Sequence, residues 1–232
     1  FGQGSTWNTV VDDIYILHQR LKQRYPDVPL CIMGHSMGSF LTRTYLIRYP
    51  GTVKAAVIMG TGWQPRAAIT GGLALANAIA AVSGENATSE LVTELAFGSY
   101  NKLFAPNRTK VDWLSADESN VDDYIADPLC GADATVGLFR QMLHGIRFNQ
   151  RQSHLRQMDR EMPVLFVAGD KDPVGNCGKG VRQTYDAFRA AGMRDCTLKL
   201  YPGLRHEILN EKAYTADITK NIEAWLLSRL EK

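Results

Sequence analysis

None of the cysteines in this chain forms a Cys-x-x-Cys pair. The four, Cys31, Cys130, Cys177 and Cys196, are scattered, which is a poor zinc or redox pattern. No His-Glu-x-x-His or comparable metal cluster occurs. Charge of one sign is also lacking: 26 basic and 24 acidic residues leave a formal +2, far too little for a nucleic-acid footprint. The longest small-apolar stretch, 71–82, falls short of the roughly 20 residues that span a bilayer. No repeat, low-complexity segment, signal peptide or transit peptide is readable. The chain does open on Phe1-Gly2-Gln3-Gly4-Ser5 without an initiator Met, like the middle of a loop. The sequons at Asn86 and Asn107 imply little without a signal peptide. These absences exclude metal, nucleic-acid and membrane-spanning classes, and the scattered thiols suit a reduced, cytoplasmic compartment.

What is present reads as an ordinary soluble globular protein. Of 232 residues, 45% are hydrophobic and 22% charged, enough for one large domain, or one with an insertion, to bury its core without staples. Val10, Ile14, Leu17, Leu21 and Tyr25 recur at steps of three and four, predicting a helix over 7–25 closed by Pro26 and Pro29. The continuous apolar run 30–33 reads as a central parallel strand buried on both faces, with Cys31 as a small buried hydrophobe within it. A helix over 37–49 and a strand over 53–59 follow. From 63 to about 160 there are helical stretches and no convincing strand. A strand over 163–168, a helix over 179–191, a strand over 197–201 and a helix over 213–230 complete the chain. Strands alternating with helices predict a parallel sheet with flanking helices, interrupted by a helical insertion.

Chemistry in such sheets gathers beyond the carboxyl ends of the strands. Gly34-His35-Ser36-Met37-Gly38 follows the first strand and opens a helix. A serine on that sharp turn is strained, its flanking glycines relieve crowding, and the Met37 N–H is placed to receive an oxyanion. The bland alternative is a serine that merely caps the helix. Serine needs a base, and the base needs an orienting carboxylate. Among five histidines, His206 alone follows a strand end late in the chain. His35 is expected to pack or hydrogen-bond beside the site, and His18, His144 and His154 sit on helical stretches. For the carboxylate, Asp170 and Asp172 compete; Asp172 is favoured because Pro173-Val174 stiffens the loop behind it. The order Ser36, Asp172, His206 is that of the α/β-hydrolases. Gly175-Asn176-Cys177-Gly178-Lys179 fails as a phosphate loop, since Pro173 stands where glycine is required. Asp170 and Asp172 likewise fail as a calcium loop, because the glycine and terminal glutamate are misplaced.

At these residues the chain resembles the monoacylglycerol lipase and lysophospholipase branch of the α/β-hydrolases. The elbow segment 29–41 is similar, as are Asp112-Trp113-Leu114-Ser115, the stretch 124–130, and the acid and histidine loops 167–175 and 201–211. The resemblance implies an α/β-hydrolase core over 1–62 and 161–232 with a helical cap over 63–160. It also implies Ser36 as nucleophile, Asp172 as acid, His206 as base and Met37 as one oxyanion donor. No metal or organic cofactor is implied. The activity implied is serine-dependent hydrolysis of a lipid ester, monoacylglycerol or lysophospholipid, with a short-acyl carboxylesterase, a proline-type peptidase or a non-catalytic fragment as the alternatives. The family places several strands before its first helix here, with a His-Gly loop that supplies a second oxyanion donor. These 232 residues hold neither, so a missing amino-terminal segment or chain is the implied partner, and residues 1–7 resemble the loop preceding that helix. Half an oxyanion hole costs about 2.7–4 kcal/mol, and the missing strands would leave one sheet edge unpaired and apolar, an aggregation hazard. The apolar run 72–82 reads either as a lid helix that touches a membrane surface transiently or as core packing. Arg147, Arg151, Arg156 and Arg160 read as a solvated face, with an anionic headgroup as the alternative.

Overall fold

The structure, a computed structural model, describes Gly4 and residues 6–230. Most of the stretch compared above to a family loop (residues 1–3 and 5) lies outside them. Helix α1 (Trp7–Arg24) starts on a capping box: Thr6 accepts from the Thr9 N–H and the Thr9 hydroxyl accepts from the Thr6 N–H, which satisfies two donors at the helix start. Strand β1 (Cys31–His35) turns at Ser36 directly into α2 (Met37–Arg48), and β2 (Ala55–Met59) follows.

Helices α3 (Arg66–Ser83), α4 (Glu90–Lys102), α5 (Glu118–Ala126), α6 (Val136–Asn149) and the single turn α7 (Gln152–Leu155) fill the connection to β3 (Val164–Gly169), with a 3₁₀ turn at Asp112–Leu114. As the sequence predicts, no named strand occurs in this block among the described residues; one antiparallel bridge joins Thr88 and Thr135. Helix α3 begins upstream of the stretch 71–82. It has 18 residues, long and apolar enough to cross a membrane by length and composition alone, and only 17% of it is buried. Then come α8 (Lys179–Ala190), β4 (Cys196–Tyr201) and α9 (Thr215–Leu230).

All three strand pairings are parallel, in the order β1-β2-β3-β4. Side chains alternate across the sheet, which gives it two apolar faces. Ala56, Ile58, Val164, Phe166 and Ala168 meet α2, α6 and α8 through Phe40, Leu41, Ile146, Val181 and Phe188. Ala55, Val57, Met59, Leu165 and Val167 meet α9 through Ile218, Ile222 and Trp225.

The sheet corrects one sequence expectation. β1 is not buried on both faces: Cys31 is exposed and Met33 is 55% exposed. Met33 stands in register with Val57, which is buried. The two therefore share a face, but α9 covers that face over the inner strands and leaves β1 open. Among the described residues β1 pairs only with β2, so it is an edge strand.

Candidate active site

The turn between β1 and α2 is strained. Ser36 has φ 54° and ψ −122°, a left-handed region that side chains other than glycine's rarely adopt. Close packing fixes it. A Cβ on Gly34 would run into the Gly38 carbonyl and the Thr42 hydroxyl, so helix and strand approach there only because Gly34 has no side chain. The Ser36 N–H donates to the Met59 carbonyl at 3.1 Å, which stitches the turn to the end of β2. Ser36 Oγ makes no hydrogen bond among the described residues, so it does not act as a helix cap. Met37 is the first residue of α2, where backbone N–H groups lack intrahelical acceptors.

The ends of β3 and β4 bring the other two groups together. His206 Nδ1 lies 3.0 Å from Asp172 Oδ2, and both side chains are almost wholly buried. A carboxylate only accepts, so Nδ1 carries the hydrogen and Nε2 is left with a free lone pair. Asp172 is held by its second oxygen, which accepts from the Val174 N–H at 2.9 Å. Asp170, the competing residue, instead accepts from the Gly203 N–H at 2.8 Å. Beyond Asp172 the loop reaches α8 through Asn176 and Cys177 at φ 49° and 50°, then Gly178 at 83°. The stretch that fails as a phosphate loop is thus a left-handed turn that leads the acid loop into α8.

Gly60, at the end of β2, packs against both histidines of the site. A Cβ there would lie 3.0 Å from His206 Cε1 and 3.1 Å from the His35 ring. His35 packs beside the site as expected. Its ring centroid is 4.6 Å from that of His206, and its Nε2 donates to the His206 carbonyl at 3.1 Å. Burial first, and His206 second, hold His35 below the ordinary histidine range; it is therefore neutral at pH 7 and adds no charge beside the base. His18 stacks on Tyr15, His144 lies beside Arg147, and His154 bonds the Phe148 carbonyl. Arg147 and Arg151 line an open cavity of about 380 Å³ with Thr6, Trp7 and Asn8, and none of its lining residues is Ser36, Asp172 or His206.

The helical block supplies a neighbour of His206 and a second ring behind it, neither of them singled out individually by the sequence. The Trp113 ring lies 5.2 Å from the imidazole, and Tyr100 meets Trp113 edge-on at 5.3 Å. Burial, and then the charge of Asp172, push the Tyr100 phenol up to about 12, so it is uncharged beside the carboxylate. Among the described residues no group of three or more His, Cys, Asp or Glu side chains is arranged to hold a metal ion.

Residues 1–213 match the family described as serine aminopeptidase, S33. The chain belongs to that family. It is 30% identical over 225 residues to a monoacylglycerol lipase of Mycolicibacterium smegmatis, covering 95% of this chain and 70% of that one. It is 26% identical over 233 residues to a monoglyceride lipase of Mus musculus, covering 97% and 67% respectively. A solved carboxyl esterase of Bacillus coagulans, in complex with glycerol, superposes with a TM-score of 0.89 at 23% identity, over 97% of this chain and 72% of that one; at that identity the likeness concerns the fold. This family member therefore has the α/β-hydrolase fold, with fewer strands before the elbow among the described residues than the fold usually carries. It is related to serine lipases and esterases, enzymes of carboxylic esters.

Proposed function

We propose that the chain is a serine hydrolase that cleaves carboxylic esters of lipids, monoacylglycerol or lysophospholipid, through an acyl-enzyme. The observation that carries this reading is the convergence of three strand ends. Ser36 is strained and its Oγ unbonded among the described residues, its N–H is tied to the end of β2 where Gly60 packs on the His206 ring, and that ring's Nδ1 is committed to a buried Asp172. Ser36 Oγ attacks the ester carbonyl carbon as its proton passes to His206 Nε2. The Met37 N–H, at the positive end of α2, faces the developing oxyanion. Collapse of the tetrahedral adduct breaks the ester C–O bond, and the alcohol leaves with the proton from Nε2. Water then gives a proton to the same nitrogen and attacks the acyl carbon; the fatty acid departs and Ser36 recovers its hydrogen. Asp172 holds the tautomer and balances the imidazolium throughout. No step calls on a metal or organic cofactor.

Block 63–160 serves as the cap over this site. The lipid assignment is supported by the two lipase relatives and by the cap's chemistry. Rings of Phe97, Tyr100, Trp113 and Phe139 cluster there, while α3 is mostly unburied and Val82, Leu91, Leu95 and Leu103 are exposed. These apolar groups suit an acyl chain and transient contact with a lipid surface.

A fluorophosphonate probe tests the chemistry. The protein is expected to be labelled, and Ser36→Ala to abolish labelling; an unlabelled but folded protein would mean it is not a serine hydrolase. Among labelled outcomes, faster turnover of long-acyl monoacylglycerols or lysophospholipids supports the lipid reading. Preference for short-acyl esters or proline peptides replaces it.

A further inference from the structure

The histidine loop does not stand on β4 alone. Residues on both sides of His206 are tied to the cap segment on both sides of Trp113. Arg205 Nη1 donates to the carbonyls of Asp112 and of Ser115, the latter at 2.9 Å. The Glu207 N–H donates to the Leu114 carbonyl at 2.8 Å. Further on, the buried Glu211 carboxylate, 3% exposed, accepts from the Ala116 N–H at 2.8 Å and from the Asp117 N–H at 3.0 Å. Asn120 Nδ2 donates to Glu207 Oε2 at 3.0 Å. The Arg205 guanidinium also stacks on the Phe104 ring, 4.0 Å from its centroid. Glu211 makes no ion pair within 4 Å among the described residues, although Arg205 feels its charge. A buried carboxylate is costly unless hydrogen bonds satisfy it, and here the cap backbone supplies them.

From this lacing we infer that Arg205 and Glu211 are positioning residues, which lock the cap segment 112–117 and the histidine loop 204–211 into one body with Trp113 as the wall beside the base. The inference rests on the serine-hydrolase reading for its catalytic consequence and on hydrogen bonds alone for its mechanical one. Within that body His206 is held from two directions. Asp172 fixes the ring through Nδ1, and the cap fixes the backbone before and after it. This part of the cap therefore cannot lift away as a lid without moving the base. Helix α4 belongs with this body, since the Trp113 N–H donates to Asn101 Oδ1 at 3.0 Å, so access for substrate falls to α3, which makes no hydrogen bond to either segment among the described residues. Trp113 becomes a specificity-determining residue, because its ring meets whatever ester group lies against His206.

The test compares Arg205→Met, Arg205→Lys and Glu211→Gln with the wild-type protein in two readouts. The first is the rate of fluorophosphonate labelling across pH. Arg205→Met is expected to label about ten- to a hundred-fold more slowly, the scale of an ångström-sized misplacement, with an altered pH profile and an unchanged far-UV spectrum. Arg205→Lys, which keeps a donor for at least one carbonyl, should recover part of that loss. Glu211→Gln, which turns one acceptor into a donor facing an N–H, should lose rate in the same direction. The second readout is amide hydrogen exchange, which needs no activity. Exchange should rise together in 112–117 and 204–211 when Arg205 or Glu211 is changed. Wild-type labelling kinetics in Arg205→Met and Glu211→Gln would overturn the positioning role. Faster exchange confined to one of the two segments would overturn the single body, whether or not the protein labels at all. If Arg205→Met fails to fold, Arg205→Lys and Glu211→Gln carry both readouts.

Discussion

Arg43 is the residue whose placement runs most against its chemistry. It lies on α2 with no exposed surface, and no carboxylate pairs with it among the described residues. Nη1 donates to the Gly62 carbonyl at 2.9 Å and to Thr61 Oγ1 at 3.3 Å, while Nε and Nη2 have no partner among the described residues. The Phe40 ring, 5.5 Å from Cζ, offers the charge only a weak contact. Burial pushes the guanidinium down from its ordinary value. An unpaired buried charge costs more than an apolar side chain of similar volume, and replacing such groups often stabilises a protein by about 1–4 kcal/mol. The Gly62 carbonyl would keep a donor in Thr184 Oγ1 at 3.2 Å, so Arg43→Met orphans little. We expect Arg43→Met to raise the unfolding free energy at pH 7 by about 1–3 kcal/mol, read by urea denaturation. Because a guanidinium keeps its proton in proteins even when buried, the difference should persist as pH rises. A variant less stable than wild type at pH 7 would mean that the two hydrogen bonds outweigh the desolvated charge.

Elements lock together here where a glycine meets an aromatic side chain. Only Trp7 and Val11 of α1 are buried, so the helix docks mainly through its first half, where Asp12 and Tyr15 also meet Tyr49. Trp7 Nε1 donates to Thr44 Oγ1 of α2 at 2.8 Å, and the Trp7 N–H donates to Gln141 Oε1 of α6 at 3.0 Å. A Cβ on Gly145 of α6 would run into the Trp7 indole. Gly145→Val should therefore expel the ring and cost about 3 kcal/mol, the scale of overpacking combined with a lost buried aromatic. Amide exchange should accelerate in α1 before the sheet. A loss below about 1 kcal/mol would show that α6 can shift to make room. The sequence made α1 itself legible, since its spacing of three and four ends one residue from the observed helix. The elbow was equally legible, because strand, Gly-x-Ser-x-Gly and helix are local signals. Asp172, favoured in the sequence for the stiffness of Pro173, is the carboxylate that bonds His206. What could not be read is what joins distant segments. Nothing local places Trp113 on His206 or an unpaired arginine in the core. An apolar run likewise does not say whether a helix covers it, which is why β1 reads as buried and is not.

For the molecule as a whole, that uncovered strand decides how copies behave toward one another. β1 pairs on one side only among the described residues, and Met33 lies open on a face whose neighbouring strands are roofed by α9. On α1, the helix leading into β1, Ile16 and Leu17 are also exposed, at 45% and 57%. An apolar, unpaired edge is a template for another strand, and a charge placed on it is the usual deterrent. These 232 residues are therefore expected to self-associate as concentration rises. Met33→Lys should weaken that association about tenfold or more, the effect of roughly 1.4 kcal/mol, without lowering the unfolding midpoint, because the substituted side chain replaces one already in solvent. Sedimentation velocity across a concentration series reads both proteins directly. If the wild-type chain stays monomeric throughout, β1's twist and its short five-residue length suffice to protect it. If it associates and Met33→Lys associates equally, contact runs through the exposed cap helices instead of the sheet edge. Adding lipid vesicles would then separate self-contact from membrane contact, since only the cap surface should be competed away by lipid.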